Sequence, residues 1–302
     1  MEYVTPIYDE NGVIKAYSSY CALPGSRGPW TYSLSKLRDT FFEKAFLSSD
    51  PSTGDYVVAV IHNTYFRLSF ARSGDNCWTS LPPHVLFADC VFKDGLMYAL
   101  TGLGEIHVFD FTEPAVKQKV VFKKMRGSTF ERVYIVQTPC GDLLQIWSDI
   151  NRSEEAEAVS EESEPDPIEE GDDFSEPEWA SDYEPRRHHC TPFRLFKVDL
   201  AANKLVEISS LGENVLFIGQ NQTVCLNAQE HPQLKANHIY FTDNDECACK
   251  NMARDIGVLN LCDNSREKIT SPQIWSKWPS PMWITPNPRK MNSDMGGSTE
   301  DE

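Results

Sequence analysis

Apolar and polar residues along this chain alternate in short runs that are separated by turn residues. Runs rich in β-branched and aromatic residues, such as residues 56–61, are typical of strands. The Asn11-Gly12 pair lies between two such runs, residues 4–8 and residues 13–18, and predicts a β-hairpin. The pattern therefore predicts an all-β protein built from many short strands.

One segment, residues 34–46, follows a helical period instead of a strand period. Its apolar side chains are spaced three and four residues apart, as on one face of an amphipathic helix, at Leu34, Leu37, Phe41, Phe42 and Ala45. Ser33 or Ser35 is placed to cap the first turn. We therefore expect one N-terminal helix.

A weak internal repeat relates the strands to one another. Residues 94–98 resemble residues 140–144 at a separation of 46 residues, and each is a turn glycine followed by an apolar strand. A second signature, Asp or Asn between apolar residues, recurs at Asp110, Asp199 and Asn260. The spacing between Asp199 and Asn260 is 61 residues, so the repeat is irregular.

The repeat favours a β-propeller. Its period is close to the ~50 residues of a kelch-like blade, and the roughly 250 residues outside the polar segments suffice for about five or six blades. We expect one propeller domain over residues 1–288, closed by pairing of the N-terminal hairpin with residues 274–285. A β-sandwich or split barrel is the alternative for the same strands.

The net charge of −17 belongs almost entirely to one segment. Residues 153–184 contain 15 Asp and Glu and no Lys or Arg, and removing these 15 from the 45 acidic residues leaves 30 against 28 basic residues. High like charge and few apolar residues predict disorder, so residues 152–190 are expected to form a disordered insertion in one loop. Residues 289–302 are expected to form a disordered tail.

The same composition limits the classes of partner. The nearly neutral body has no basic stripe, so a nucleic-acid binder is not expected. The longest apolar run has six residues, at 56–61, far short of the roughly 20 needed to cross a bilayer, so no membrane partner is expected. Nine cysteines without a CxxC pair suggest reduced thiols, and hence a cytoplasmic or nuclear protein.

Catalytic, cofactor and metal sites are not predicted from these residues. His188-His189-Cys190 stands beside the acidic segment without a paired second half, and Cys247, Cys249 and Cys262 are better interpreted as loop thiols, so no metal site is expected. Gly102-Leu103-Gly104 lies between two strands and predicts a hairpin turn, not a phosphate loop. An enzymatic role would require clustered titratable side chains in a central channel or a cleft.

Two groups of residues have alternative interpretations. Five tryptophans are placed either in the cores between blades or at an interface, and the core is favoured: Trp78, Trp147, Trp275, Trp278 and Trp283. Four serines in the acidic segment are candidate phosphorylation sites for an acid-directed kinase, against the simpler interpretation of a solvated spacer: Ser160, Ser163, Ser175 and Ser181.

Several stretches together resemble a known family. The stretches that carry the resemblance are residues 44–81, 87–111, 193–200, 213–228 and 238–261. Together they are similar to the plant F-box-associated KIB-type family of kelch-like β-propellers. The resemblance runs in order from about residue 44 to residue 286. It implies a kelch-like propeller that recognises a target protein.

The resemblance also implies a place in a ubiquitin ligase, because family members carry an N-terminal F-box that docks on a Skp-type adaptor. No F-box pattern is visible in the first 55 residues, so docking on that adaptor is not expected of this sequence. The leading expectation is a non-enzymatic, target-binding propeller without a cofactor. The alternative is a stand-alone scaffold or regulator that binds a partner such as a kinase.

Overall fold

The computed structural model of the chain describes residues 3–20, 30–34, 41–62, 66–83, 85–123, 132–148, 193–242, 256–268 and 283. These residues form twenty strands in five sheets, and together they make an all-β propeller. No helix among them is long and apolar enough to cross a membrane. The acidic insertion, the tail and all of the predicted closure at residues 274–285 except residue 283 lie outside the described residues.

The first three blades are four-stranded antiparallel meanders in which strand order follows chain order. The first blade consists of β4 (Phe42–Leu47), β5 (Val57–His62), β6 (Arg67–Arg72) and β7 (Thr79–Ser80). The second consists of β8 (Phe87–Lys93), β9 (Leu96–Thr101), β10 (Ile106–Asp110) and β11 (Lys117–Phe122). The third consists of β12 (Arg132–Gln137), β13 (Leu143–Ser148), β14 (Arg194–Asp199) and β15 (Lys204–Ile208).

The fourth blade has five strands and a different order. Its strands are β16 (Asn214–Ile218), β17 (Val224–Asn227), β18 (His238–Phe241), β19 (Gly257–Asn260) and β20 (Arg266–Lys268). The order across the sheet is β17-β16-β18-β19-β20, and β16 pairs in parallel with β18. β17 therefore lies at one edge of the sheet, and the chain returns to the other side of β16 to form β18, β19 and β20.

A separate three-stranded sheet precedes the blades. It consists of β1 (Tyr3–Tyr8), β2 (Ile14–Tyr20) and β3 (Trp30–Ser33). Gly12, at φ +76°, lies in the turn between β1 and β2, so the predicted Asn11-Gly12 hairpin is confirmed. Among the side chains of this sheet that the structure describes, none belongs to the three main cores.

The cores lie between successive blades, because each blade is apolar on both of its faces. Phe46, Leu68 and Phe109 belong to the core between the first and second blades. Neighbouring residues of β8 divide between two cores, since Cys90 packs toward the first blade and Val91 toward the third. Successive side chains of a strand point to opposite faces, so stacking of the blades is what buries them.

The predicted N-terminal helix is not supported. Phe42–Leu47 forms strand β4, in which Lys44 and Phe46 are buried and alternate with the exposed Ala45 and Leu47. Residues 35–40 lie outside the described residues. The apolar positions fit both periods over a short run, and pairing with β5 decides the outcome.

The predicted count of five to six blades is also not supported, because the part of the chain that the structure describes forms four. The count assumed a blade for every 40 to 50 residues. The N-terminal region forms the separate sheet instead, and the fourth blade uses residues 214–268 for five strands.

Truncation of the core between the first two blades is expected to cost much of the stability. Phe109 is fully buried, so Phe109→Ala removes its contacts and leaves a cavity, at a cost of about 3–5 kcal/mol of unfolding free energy. Urea denaturation followed by tryptophan fluorescence measures this loss. Val120→Ala is the control, because Val120 is 45% exposed on β11 and should change the stability by less than about 1 kcal/mol.

Candidate functional site

A buried carboxylate joins the four blades at the centre of the propeller. Asp89 of β8 is fully buried, and its Oδ1 lies 3.2 Å from the Nζ of Lys44 on β4. Its Oδ2 accepts hydrogen bonds from the backbone N–H of Ile135 on β12, at 3.1 Å, and from the Thr223 hydroxyl, at 2.8 Å. Thr223 directly precedes β17, so these four residues, here called the central hub, come from four different blades.

The electrostatics of the central hub reflect its burial. Burial raises the pKa of Asp89, while Lys44 and the hydrogen bonds from Ile135 and Thr223 act in the opposite direction. The Lys44 side chain is 3% exposed, and its Nζ lies 4.7 Å from the centroid of the Tyr134 ring. Both charged groups face protein atoms, so the chemical role that this geometry supports is cohesion of the blades.

The strand ends near Phe87 form one face of the first two blades, here called the upper face. The Phe66 carbonyl accepts a hydrogen bond from the Phe87 N–H at 3.0 Å, and the Leu86 carbonyl accepts one from Gly102 at 3.1 Å. Phe42 begins β4 and pairs with His62, at the same end. The turns between strands and the first residues of β4 and β8 therefore meet on this face.

Three apolar side chains on the upper face are exposed to solvent. Phe42 is 53% exposed, Phe66 40% and Leu86 41%. They form what is here called the apolar rim, and each sits within two residues of a buried strand position. Exposed apolar side chains that cluster at the ends of a rigid scaffold are typical of protein-binding surfaces.

His62 lies opposite Phe42, where β5 pairs with β4. Its ring stacks on Phe41 at a centroid distance of 5.3 Å, and its Nε2 hydrogen-bonds the buried Ser69 hydroxyl at 2.8 Å. Burial lowers the pKa of His62, and the nearby charge of Arg67 lowers it further. Its buried Nδ1 has no hydrogen-bond partner, so the site favours the neutral ring.

Strand β13, which precedes the acidic segment in the sequence, runs toward the same face. The Gln145 side chain of β13 donates a hydrogen bond at 3.1 Å to the carbonyl of Gly104, which lies in the turn between β9 and β10. That turn carries Gly102, the partner of Leu86. β13 continues from Gln145 to Ser148, and the chain is described again from residue 193. The acidic residues 153–184 therefore follow, in the sequence, a strand that ends beside the upper face.

The structure tests part of the predicted site chemistry. The candidate phosphorylation sites Ser160, Ser163, Ser175 and Ser181 lie outside the described residues, as do His188, His189, Cys190, Cys247 and Cys249. Cys262 is exposed, and its sulfur accepts a hydrogen bond from the Asn237 amide. No group of three or more metal-ligating side chains occurs among the residues that are described.

Gly102-Leu103-Gly104 forms the predicted hairpin turn, where the Gly104 N–H donates to the Thr101 carbonyl at 2.9 Å. Trp283 packs against the fourth blade, with its ring centroid 5.3 Å from that of Phe217 and its indole N–H donating to the Ile218 carbonyl. This packing agrees with the core interpretation.

The other two described tryptophans that were assigned to the core differ in how far they are buried. Trp147 is half-buried, with its ring centroid 4.4 Å from that of Phe196, whereas Trp78 is 49% exposed. Trp275 and Trp278 lie outside the described residues.

Sequence reasoning missed the central hub and the apolar rim. Asp89 stands within an otherwise apolar strand, FADCVF, and a carboxylate at such a position indicates a buried partner. That signal was available in the sequence, although it does not identify Lys44 or Thr223. The sequence contains no comparable signal for the apolar rim, because Phe42, Phe66 and Leu86 resemble ordinary strand residues.

Comparison with known proteins finds one family and several relatives. Residues 14–260 match the family described as the KIB1-4 beta-propeller. The putative F-box protein At5g55150 of Arabidopsis thaliana is 24% identical over 257 residues, which cover 83% of this chain and 62% of that protein. The probable F-box protein At4g22165 of the same plant is 24% identical over 262 residues, 85% of this chain and 56% of that protein.

A third relative, the F-box protein At2g17036 of Arabidopsis thaliana, is 20% identical over 231 residues, 73% of this chain and 51% of that protein. The chain thus spans between about half and three fifths of the length of the curated relatives that it matches.

Removal of one partner from the central hub is expected to be strongly destabilising. Asp89→Ala leaves the Lys44 ammonium buried without its counter-charge, at a cost of about 3–5 kcal/mol of unfolding free energy. The double variant Lys44→Met with Asp89→Ala should lose less than the sum of the two single losses, because it leaves no unpaired charge. Urea denaturation of all four proteins measures the coupling, and additive losses would contradict the hub.

The neutral state of His62 predicts a pH dependence. Because its pKa is lower in the folded protein than in the unfolded chain, the unfolded chain takes up the proton first as the pH falls below about 6.5. Stability should therefore decline over that range, and less so in His62→Gln. The other six histidines are common to both proteins, so equal declines in two denaturation series would contradict the prediction.

Proposed function

The chain belongs to the KIB1-4 beta-propeller family, and from this we propose that it is a non-enzymatic protein-binding propeller resembling the substrate-recognition part of F-box ubiquitin-ligase receptors. Membership confirms the resemblance drawn from residues 44–286. The relatives are named F-box proteins, which supports the ubiquitin-ligase part of the proposal. We also propose that the blades are kelch-like and that the protein is cytoplasmic or nuclear.

The single observation that carries the proposal is the exposed apolar rim above a buried hub. The ionisable groups at the centre, Asp89 and Lys44, are 0% and 5% exposed and bond to each other and to their neighbours. They are engaged in holding the blades together, which favours a binding role over a catalytic one. Phe42, Phe66 and Leu86 are instead available to a partner on the upper face.

The proposal is tested by quantitative affinity purification of the tagged 302-residue chain from plant cells. We expect a target protein to be recovered with the whole chain and not with a tagged peptide of residues 152–190 alone. That control separates recognition by the propeller from attraction to the acidic insertion. A protein recovered equally with both baits, or none with the whole chain, would contradict the proposal.

The ubiquitin-ligase role has a separate readout in the same cells. If the chain delivers its target for degradation, a Skp-type adaptor is recovered with it and the half-life of the target shortens when the chain is overexpressed. An unchanged half-life without the adaptor would instead support the stand-alone scaffold that binds a partner such as a kinase.

A further inference from the structure

Phe66 has a backbone conformation that its side chain does not favour. Its φ is +50°, in the left-handed region, where a bulky residue without a side-chain hydrogen bond to the backbone is uncommon. Four other described residues besides glycine share a positive φ, and all are Asn or Asp: Asp94, Asn203, Asn237 and Asn264. These two residue types adopt that conformation readily, so Phe66 departs from the pattern of the other described residues with a positive φ.

Aromatic packing among the described residues does not account for this phenylalanine. Its side chain is 40% exposed, and the contact that fixes its backbone is the hydrogen bond from the Phe87 N–H to its carbonyl, which any residue would make. An Asn or Gly at this position would satisfy the turn at a lower conformational cost. Strained residues of this kind concentrate at functional sites.

Two other exposed apolar residues lie near Phe66 on the upper face. Leu86, 41% exposed, directly precedes Phe87, and Phe42, 53% exposed, pairs with His62, which in turn pairs with Arg67 beside Phe66. Phe42 begins β4, and Phe66 and Leu86 directly precede β6 and β8, so the strands fix where all three residues lie and little ordering is needed when a partner binds. A rigid aromatic anchor with apolar neighbours is the usual centre of a protein-binding hot spot.

Charge indicates what kind of segment would be attracted to this surface. Strand β13, whose Gln145 contacts the turn beside Leu86, ends at Ser148, and the acidic residues begin five positions later in the sequence. Residues 153–184 within it contribute 15 negative charges and no positive ones, while the rest of the chain is nearly neutral. Such a field accelerates the approach of cationic partners and repels acidic ones.

The geometry points to a partner segment that places apolar side chains on Phe42, Phe66 and Leu86 and carries Lys or Arg residues beside them. This inference rests on the proposed protein-binding function and specifies the chemistry of the bound segment. Phe66 is its anchor, and the rim is its contact surface. The acidic insertion contributes charge and is not part of the contact surface.

A random peptide library displayed on phage, selected against the purified whole chain, tests this inference. We expect the enriched peptides to combine Phe, Leu or Trp with Lys or Arg. Synthetic versions should bind Phe66→Asn with an affinity lower by about tenfold or more, the loss typical of a removed anchor. Because Asn suits a positive φ, Phe66→Asn should melt no lower than the wild-type protein, so weaker binding would not reflect unfolding.

A control and a second rim variant complete the experiment. Leu47→Asn removes a 44% exposed leucine at the opposite end of β4 and should leave the affinity unchanged. Leu86→Ser should weaken binding as Phe66→Asn does, and its melting temperature shows whether it remains folded. Loss of affinity in both rim variants and not in Leu47→Asn supports the inference.

Three results would overturn the inference. These are equal affinity of the wild-type protein and Phe66→Asn for the peptides, enrichment of acidic peptides, and no enrichment at all. A wild-type dimer that becomes monomeric in Phe66→Asn during sedimentation would assign the rim to a second copy of the chain instead. Each of these leaves the protein-binding function standing if the affinity purification still recovers a target with the whole chain.

Discussion

The architecture depends on one buried carboxylate that accepts hydrogen bonds from three neighbouring blades. Asp89 lies on the second blade, and Lys44, Ile135 and the Thr223 hydroxyl reach it from the first, third and fourth. An ionised carboxylate only accepts hydrogen bonds and has room for several donors, which suits a point where several strands converge. Apolar packing between blades is not directional, whereas these bonds fix how far each innermost strand slides along its neighbour.

The same interaction positions the candidate binding surface. Phe42 lies two residues before Lys44. Phe87 lies two residues before Asp89, and its N–H donates a hydrogen bond to the Phe66 carbonyl. The strand ends that carry the apolar rim are therefore set by the hub directly beneath them. A surface that is rigid before binding loses little conformational entropy when a partner arrives, so cohesion at the centre and recognition at the upper face are parts of one arrangement.

Local patterns predicted much of the fold. The Asn11-Gly12 turn, the Gly102-Leu103-Gly104 turn and strands such as Ile106–Asp110 depend on residues close together in the chain. The prediction of a helix over residues 34–46 was wrong, because Phe42 and Ala45 fit either period and the sequence does not reveal the pairing of β4 with β5. The blade count failed because the fourth blade has five strands in an irregular order. The hydrogen bond between Thr223 and Asp89 in the hub joins residues 134 positions apart, and the positive φ of Phe66 has no sequence signature.

The most direct measurement of the central claim is native-state amide hydrogen exchange of the whole chain. If Asp89 joins the four blades, the Ile135 N–H exchanges as slowly as the slowest amides of β4, β8 and β17, because all of them open only in global unfolding. In Thr223→Val, these amides should accelerate together. Exchange of the Ile135 N–H at the rate of the outer strands β11 and β15, or acceleration confined to the fourth blade in Thr223→Val, would contradict the account.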